Sequence, residues 1–147
     1  MKKLAILPGS YDPMTLGHLA LVKAAAKTFE HLVIAVMINP DKHTRFTPEE
    51  RVEIARRTVA EFPQAEVIFD GGMLVDLFDR LGADAVVKGY RDSTDLAYER
   101  KMANLNRARN RACRTILVRA EGPYAKVSST EVRRRLDTGG DIRGLVH

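Results

Sequence analysis

Residues 4–18 read Leu4-Ala5-Ile6-Leu7-Pro8-Gly9-Ser10-Tyr11-Asp12-Pro13-Met14-Thr15-Leu16-Gly17-His18, an apolar run followed by a glycine-led turn and a Thr-x-Gly-His sequence. The run Leu4–Leu7 is typical of a strand buried on both faces of a parallel sheet, and we expect Pro8 to end it. Apolar spacing after position 18 indicates a helix that begins close to Gly17 and His18. A strand, a turn and a helix N-terminus in this order predict an anion-binding site, because helix N-termini attract negative charge.

The turn and the helix start offer several groups to a phosphate. Gly9 permits a backbone turn that other residues would strain, and Ser10 has both a hydroxyl and a backbone N–H. Gly17 lets a ligand approach the backbone closely, and His18 can donate a hydrogen bond from a ring nitrogen to a phosphoryl oxygen. An isolated histidine is more often a helix cap or an exposed loop residue, so the interpretation of His18 depends on the rest of the chain.

Length and composition limit the class of protein. A chain of 147 residues with 45% apolar residues predicts a single domain, residues 1–147, with a sizeable core. Its apolar runs are much shorter than the ~20 residues that cross a bilayer, and it has no long apolar leader. We therefore expect a cytoplasmic protein without a membrane partner. The single cysteine, Cys113, excludes an internal disulfide and has no cysteine neighbour for a metal site.

The positive charge of the chain has two interpretations. A formal net charge of +5 suits either a nucleic acid or a small polyphosphate ligand. Many of the cations lie in two runs, Arg100–Arg114 and Arg133–Arg135, on predicted helices, where such runs are usually solvated faces. No aromatic stripe or nucleic-acid motif accompanies them. We therefore expect no nucleic-acid partner and keep a basic RNA-binding module as the remote alternative.

Short apolar runs alternate with longer amphipathic stretches along the chain. This alternation predicts an α/β fold: a Rossmann-like, doubly wound, mostly parallel sheet with right-handed crossovers and a ligand at the carboxyl ends of its strands. Strands are predicted at residues 4–7, 32–38, 66–69, 85–87 and 115–118. Helices are predicted to begin near residues 17, 48 and 128, to include residues 74–81, and to fall within residues 92–111.

Two helix starts carry the sequence of a capping box, in which side chains at the cap and three residues later bond each other's backbone. One is Thr47–Glu50, with a proline at the first helical position, and its helix is expected to run to about Glu61. The other is Ser128–Glu131. On the long fourth helix, Tyr98 and Leu105 share a face with a methionine, and such residues are usually core, so we expect them to be buried.

Chemically active side chains gather beyond the first turn. Lys42 follows the second strand and could hold a phosphate, or could be an ordinary exposed lysine. Lys88-Gly89-Tyr90-Arg91 follows the fourth strand, where a glycine between two cations would let both approach one anion. Val127–Thr130 combines hydroxyls with free backbone N–H groups at a helix start. That combination predicts a second anion site, with plain helix capping as the alternative.

The order of these motifs resembles one family over nearly the whole chain. The string Pro8–Pro13 with Thr15–His18 is similar to the signature of the HxGH nucleotidyltransferase superfamily, in its Thr-x-Gly-His branch. The full set resembles the bacterial phosphopantetheine adenylyltransferases. Each motif is weak alone, and their order and spacing are specific. The further markers are residues 39–42, 46–51, 89–91, 98–99, 104–107 and 127–130.

The resemblance implies an activity. Members of this family transfer the adenylyl group of ATP to 4′-phosphopantetheine and release dephospho-coenzyme A and pyrophosphate, in coenzyme A biosynthesis. They use Mg²⁺, which we expect the ATP phosphates to carry rather than protein ligands, and they form homohexamers. The alternatives within the same fold are a nicotinamide mononucleotide adenylyltransferase and a CTP-dependent cytidylyltransferase.

The resemblance also implies site residues, each carried over to its matching position. His18, Lys42 and Arg91 are the candidate catalytic residues. The ATP-binding positions are Ser10, Tyr11, His18, Gly89, Tyr90, Arg91, Glu99, Tyr124, Ala125, Lys126, Val127, Ser128, Ser129 and Thr130. The acceptor-binding positions are Ser10, Lys42, Leu74, Lys88 and Asn106.

Several positions differ from the usual family residues: Lys88, Gly72, Tyr124, Lys126 and Thr130. Lys88 stands where the family usually has an arginine, so a point charge replaces a bidentate fork. Gly72 stands where an acidic residue is common.

If the acceptor is a phosphate monoester, its oxygen is already an anion, and the reaction needs no general base. The enzyme must instead align two polyanions and stabilise charge on the transferring group.

Overall fold

Strands and helices alternate along the chain in the computed structural model, which describes residues 3–38, 43–120, 122, 124 and 127–147. The strands are β1 (Leu4–Gly9), β2 (His31–Met37), β3 (Ala65–Asp70), β4 (Ala85–Tyr90) and β5 (Thr115–Arg119). The helices are α1 (Leu16–Ala26), α2 (Pro48–Thr58), α3 (Leu74–Leu81), α4 (Ser93–Arg109) and α5 (Ser129–Asp137).

The five strands form one sheet in the order β3-β2-β1-β4-β5, and every pairing is parallel. This confirms the predicted doubly wound α/β fold. The strand order reverses at the centre, between β1 and β4, and ligands bind at such a switch point in open α/β sheets. The β1–β4 ladder joins only Ala5 to Ala85 and Ile6 to Val86. The two strands therefore part before their carboxyl ends and leave a crevice there.

Apolar layers cover both faces of the sheet. Leu7 of β1 packs in a cluster with Val22 of α1 and Ala55 of α2, and all three side chains have no exposed surface. Ile6 points to the opposite face and packs in a cluster with Leu77 of α3. Since neighbouring residues of one strand are buried on opposite faces, the strand reads as a continuous apolar run, as predicted.

Strands β1 and β4 extend two or more residues past their predicted carboxyl ends. β1 continues through Pro8 to Gly9, so the expectation that Pro8 ends it was wrong. At Pro8 the strand has only β2 as a neighbour, and a proline is tolerated there as on an edge strand. β4 continues to Tyr90 because Lys88 and Gly89 pair with β5. Most of the predicted basic turn is therefore strand, and only Arg91 follows it.

Helices α2 and α4 also differ from the predictions. α2 ends at Thr58, short of Glu61, because the next residue leaves helical backbone geometry. The expectation of buried Tyr98 and Leu105 on α4 was wrong, since they are 54% and 50% exposed. The side of α4 nearest the sheet carries mostly small and polar residues at helical spacing. Its half-buried positions are Asp95, Leu96, Glu99, Ala103 and Asn106.

Within the described ranges, no helix has both the length and the hydropathy of a membrane span.

Candidate active site

A cleft of about 1100 Å³ opens at the carboxyl ends of β1 and β4. Its walls come from the β1–α1 turn, the end of β4, α4 and the start of α5. The structure brings thirteen of the predicted site residues together here. They are Ser10, Tyr11, His18, Lys88, Gly89, Tyr90, Arg91, Glu99, Tyr124, Val127, Ser128, Ser129 and Thr130.

Two further predicted site residues, Leu74 and Asn106, do not line this cleft. Lys42, Ala125 and Lys126 lie outside the described residues. Leu74 is the first residue of α3 and packs against the apolar cluster of that helix. Asn106 lies half-buried on α4, on the side nearest the sheet.

Helix α1 begins with a capping box that contains a histidine. Thr15 is the cap, and its Oγ1 accepts a hydrogen bond from the His18 N–H at 3.4 Å. In return, the Thr15 N–H donates to His18 Nδ1 at 2.9 Å. Because Nδ1 accepts this bond, the proton of the neutral ring lies on Nε2. The box thus fixes the ring and leaves an N–H donor on its other side.

The pKa of His18 is lowered to about 4, first by burial and then by the positive charges of Lys88 and Arg91. The ring is therefore neutral at physiological pH. A neutral ring with its proton on Nε2 can donate one hydrogen bond to a phosphoryl oxygen. It is not available as a general base, because its other nitrogen already accepts from Thr15.

The strained residue of the first turn is Tyr11, not Gly9. Tyr11 has φ of 48°, in the left-handed region that bulky side chains rarely adopt, and Gly9 has no positive φ. The Tyr11 hydroxyl donates to the Leu7 carbonyl at 2.7 Å, and its ring meets the His18 ring edge-on with centroids 4.8 Å apart. A Cβ at Gly9 would lie 3.2 Å from the Tyr11 ring. Glycine at this position therefore makes room for the tyrosine.

Asp12 anchors the same turn. Its carboxylate is buried and accepts hydrogen bonds from the backbone N–H groups of Arg45 and Phe46, both at 2.9 Å. Arg133 of α5 lies 3.6 Å from this carboxylate and donates to the Asp12 carbonyl at 2.8 Å. Since its oxygens have structural partners, Asp12 ties three distant segments together and is not a free base.

The hydroxyls at the start of α5 already have partners. Ser128 caps the helix by accepting from the Glu131 N–H at 3.1 Å, and Ser129 donates to the Pro13 carbonyl at 2.7 Å. Thr130 Oγ1 accepts from Arg133 at 3.1 Å. These hydroxyls therefore hold the start of the helix in place, and at the predicted second anion site the backbone N–H groups would be the most direct donors.

The predicted capping box of α5 is only half formed. The Ser128 half is present, but the Glu131 carboxylate turns instead to Arg134 and Arg135. These two ion pairs hold the pKa of Glu131 well below its usual value. Two guanidinium groups on the following turn thus outcompete one backbone N–H for the same carboxylate.

Two cations of the cleft are each held by a carboxylate on α4. Lys88 Nζ lies 3.2 Å from Glu99 Oε2, and Arg91 Nε donates to Asp95 Oδ2 at 3.0 Å. Glu99 is the more enclosed partner, with 12% of its side chain exposed. An anionic ligand would have to share these cations with the carboxylates. The pairing also orients the cations before a ligand arrives.

Sequence reasoning missed several residues of the cleft. Arg133 lines it, together with His43 and Thr44, although the run Arg133–Arg135 was interpreted as a solvated face. That interpretation holds for Arg134 and Arg135, which pair with Glu131 at the surface. The available signal was helical spacing: Arg133 follows Ser129 by four residues and so shares its face of the helix.

Potential metal ligands do not form a cluster in the described part of the chain. Among residues 3–38, 43–120, 122, 124 and 127–147, no three His, Cys, Asp or Glu side chains are close enough to hold a metal ion.

The fold and the cleft define an α/β nucleotidyltransferase, and residues 6–135 match the family described as cytidylyltransferase-like. A phosphopantetheine adenylyltransferase of Limosilactobacillus reuteri is 41% identical over 140 residues, which cover 95% of this chain and 81% of that protein. Its counterpart in Limosilactobacillus fermentum is 39% identical over 144 residues, covering 98% and 83%. The chain therefore belongs to the phosphopantetheine adenylyltransferase family.

Solved structures support the fold. A crystal structure from Vibrio parahaemolyticus, assigned as a nicotinate-nucleotide adenylyltransferase, matches with a TM-score of 0.70. The match covers 99% of this chain and 94% of that one at 16% sequence identity. At this identity the likeness concerns the fold alone.

Proposed function

We propose that this protein transfers the adenylyl group of ATP to 4′-phosphopantetheine and releases dephospho-coenzyme A and pyrophosphate. A phosphate oxygen of the acceptor forms a bond to the α-phosphorus of ATP. The bond from that phosphorus to the oxygen of the leaving pyrophosphate breaks. No proton has to be removed from the nucleophile, so a cleft whose described residues offer no free carboxylate base suits the reaction.

One observation carries the proposal: the His18 ring is fixed in a helix cap, is neutral, carries its proton on Nε2, and lines the same cleft as Lys88 and Arg91. The charge of the reaction grows on the oxygens of the α-phosphoryl group. A prepositioned donor at that place stabilises the transition state more than the ground state. The membership of the family, at 41% identity to a phosphopantetheine adenylyltransferase, supports the acceptor.

The other cleft residues would serve alignment of the two substrates. Arg91 and the start of α5, at Ser128 and Ser129, would hold the β- and γ-phosphates of ATP. Lys88 would neutralise the acceptor phosphate together with Lys42. Ser10, in the turn between β1 and α1, would contact both substrates. Such alignment lowers the entropic cost of bringing two polyanions together.

Mg²⁺ fits this site as part of the nucleotide. The described cleft offers hydroxyls, backbone N–H groups and cations, and lacks the cluster of carboxylates that binds Mg²⁺ directly. We therefore propose that Mg²⁺ is held by the ATP phosphates and supplies charge neutralisation there. Titration of activity with Mg²⁺ at several ATP concentrations should then follow the concentration of the MgATP complex.

The activity is tested by measuring pyrophosphate release with ATP or CTP and with three acceptors: 4′-phosphopantetheine, nicotinamide mononucleotide and a small phosphorylated alcohol. We expect release with ATP and 4′-phosphopantetheine, and mass spectrometry should identify dephospho-coenzyme A. Release with another pair and none with this one would overturn the proposal. RNA affinity that falls steeply with salt and is unchanged in His18→Ala would favour an RNA-binding module.

We also propose that the chain forms a homo-oligomer, with a hexamer as the expected assembly. Large apolar side chains on the described surface support an association of copies, because water-exposed apolar area is costly. The most exposed of them are Ile38, Phe69, Met73, Tyr98, Met102 and Leu105. Sedimentation velocity at micromolar concentration measures the assembly, and a monomer would contradict it.

A further inference from the structure

Arg51 lies beneath the first turn of the cleft and is almost completely buried, with 3% of its surface exposed. It belongs to the first half of α2, and its side chain reaches across the carboxyl ends of β1 and β2. Its Nη1 donates to the Ser10 carbonyl at 3.0 Å and lies 3.5 Å from the Met37 carbonyl. No carboxylate forms an ion pair with it in the described part of the chain, although a buried cation is costly without a partner.

The hydrogen bond to Ser10 fixes one peptide plane. The Ser10 carbonyl and the Tyr11 N–H belong to the same planar peptide unit, so the direction of the carbonyl sets φ of Tyr11. That φ is 48°, which a tyrosine adopts only where its surroundings hold it. Without the donor at Ser10, the peptide would be free to rotate and relieve the strain at Tyr11.

The effect of such a rotation reaches the proposed donor. The Tyr11 ring packs edge-on against the His18 ring, and Tyr11 is otherwise held by its hydroxyl on the Leu7 carbonyl. A change in φ at Tyr11 moves the ring relative to that hydroxyl anchor, so the contact with His18 shifts. It also turns the Tyr11 N–H, which points away from Arg51 in the present peptide orientation.

We propose that Arg51 is a positioning residue for the transferase reaction, and that it acts by holding the Ser10–Tyr11 peptide in the strained orientation that places the Tyr11 ring against His18. Arg51 does not line the cleft, so it acts through Ser10 and Tyr11. The expected effect of Arg51 on turnover rests on the proposed function. The effect on the ring of His18 is independent of the substrate.

The test compares Arg51→Met, Arg51→Lys and the control Val59→Ala. Methionine keeps much of the buried volume and removes the donor, whereas lysine keeps a donor and the charge. Val59 is 3% exposed at the end of α2, so Val59→Ala destabilises the same helix without touching the turn. Each variant of the 147-residue chain is measured for melting temperature, kcat and KM for both substrates, and the ring resonances of His18.

We expect Arg51→Met to lower kcat by about 10²-fold, because a small misplacement of a catalytic group has effects of that size. The KM values should change much less, and the His18 ring resonances should shift. Arg51→Lys should recover part of the loss, and Val59→Ala should lower the melting temperature with unchanged kcat and resonances. If Arg51→Met does not fold, kcat and the His18 ring resonances are compared between the parent and Arg51→Lys, for which we expect a smaller loss of kcat.

Two results would overturn the proposal: a kcat within threefold of the parent, or His18 resonances that do not move in a folded Arg51 variant. If the parent protein shows no activity with 4′-phosphopantetheine, the proposed function fails. The ring resonances still decide the role of Arg51 in that case.

Discussion

Helices α1 and α2 begin with the same pair of reciprocal hydrogen bonds, with threonine as the cap in both and a different residue at the third helical position. At α2, the Thr47 N–H donates to Glu50 Oε1 at 3.0 Å, and Thr47 Oγ1 accepts from the Glu50 N–H at 3.1 Å. At α1, Thr15 and His18 make the corresponding bonds at 2.9 and 3.4 Å. One box caps a surface helix and the other stands in the cleft.

The two boxes differ in the group that the side chain at the third helical position still presents to its surroundings. Glu50 keeps a negative charge, and the Thr47 hydrogen bonds lower its pKa so that it stays ionised. His18 also has a lowered pKa, but for a base this means that it stays neutral. The other ring nitrogen of His18, Nε2, carries an N–H that can donate a hydrogen bond. The same local structure thus stabilises a helix in one place and presents a donor to an anion in the other.

The largest expected effect comes from copying the α2 box into α1 with His18→Glu. The capping bonds can still form, so the melting temperature should change little. Turnover should fall by at least about 10²-fold, because the donor is lost and a carboxylate faces the substrate phosphates. Circular dichroism melts and the pyrophosphate assay measure both. Near-normal turnover would show that His18 only caps the helix.

The next prediction concerns the protonation of His18. Its ring should titrate near pH 4 rather than 6.5 when followed by NMR, with the resonance assigned by its absence in His18→Glu. Between pH 6.5 and 4 the unfolded chain binds this proton and the folded chain does not. The free energy of unfolding should therefore fall as the pH is lowered through this window, and less so in His18→Glu. A ring midpoint near 6.5 would contradict the burial argument.

The same substitution in both boxes separates capping from chemistry. Thr15→Ala and Thr47→Ala should each lower the free energy of unfolding by about 1 kcal/mol, since each removes a helix cap. Only Thr15→Ala should also reduce turnover several-fold, because it loosens the His18 ring. Urea denaturation and steady-state kinetics on both variants test this. An equal loss of turnover in Thr47→Ala would remove the distinction between the boxes.

The smallest expected effect concerns the charges near α1. Lys88→Met should raise the pKa of His18 modestly, because Lys88 is one of the cations that lower it. Burial is the larger cause, so the pKa should stay well below 6.5. Lys101→Met, at an exposed position of α4, is the matched control and should leave the pKa of His18 unchanged. A return to 6.5 in Lys88→Met would mean that charge, not burial, keeps the ring neutral.

The sequence predicted the elements and their class well because their signals are local. Apolar runs mark the strands, and the Thr47–Glu50 capping box was predicted from four adjacent residues and is present. The ends of strands were predicted less well. β4 extends through Lys88 and Gly89 because β5 pairs with them, and such a pairing cannot be seen within β4 itself.

The candidate site was predicted where motif and structure coincide and missed where a role depends on distant partners. His18 belongs to a motif, whereas Arg51 and Arg133 reach the first turn from other helices. The strained position of the first turn was predicted at Gly9, because glycine tolerates such a turn, but the left-handed backbone is at Tyr11. Tertiary contacts override that preference here. Tyr98 and Leu105 were expected in the core because helical spacing shows a face but not its partner.

The hydrogen bonds that join α5 to the first turn have a consequence for synthesis. Ser129 binds the Pro13 carbonyl and Arg133 binds the Asp12 carbonyl, across 116 and 121 residues of sequence. During translation the first turn leaves the ribosome long before α5 exists. Contacts between such distant residues form late in folding. A growing chain would therefore hold an incomplete phosphate site, and ATP binding would report that α5 has docked.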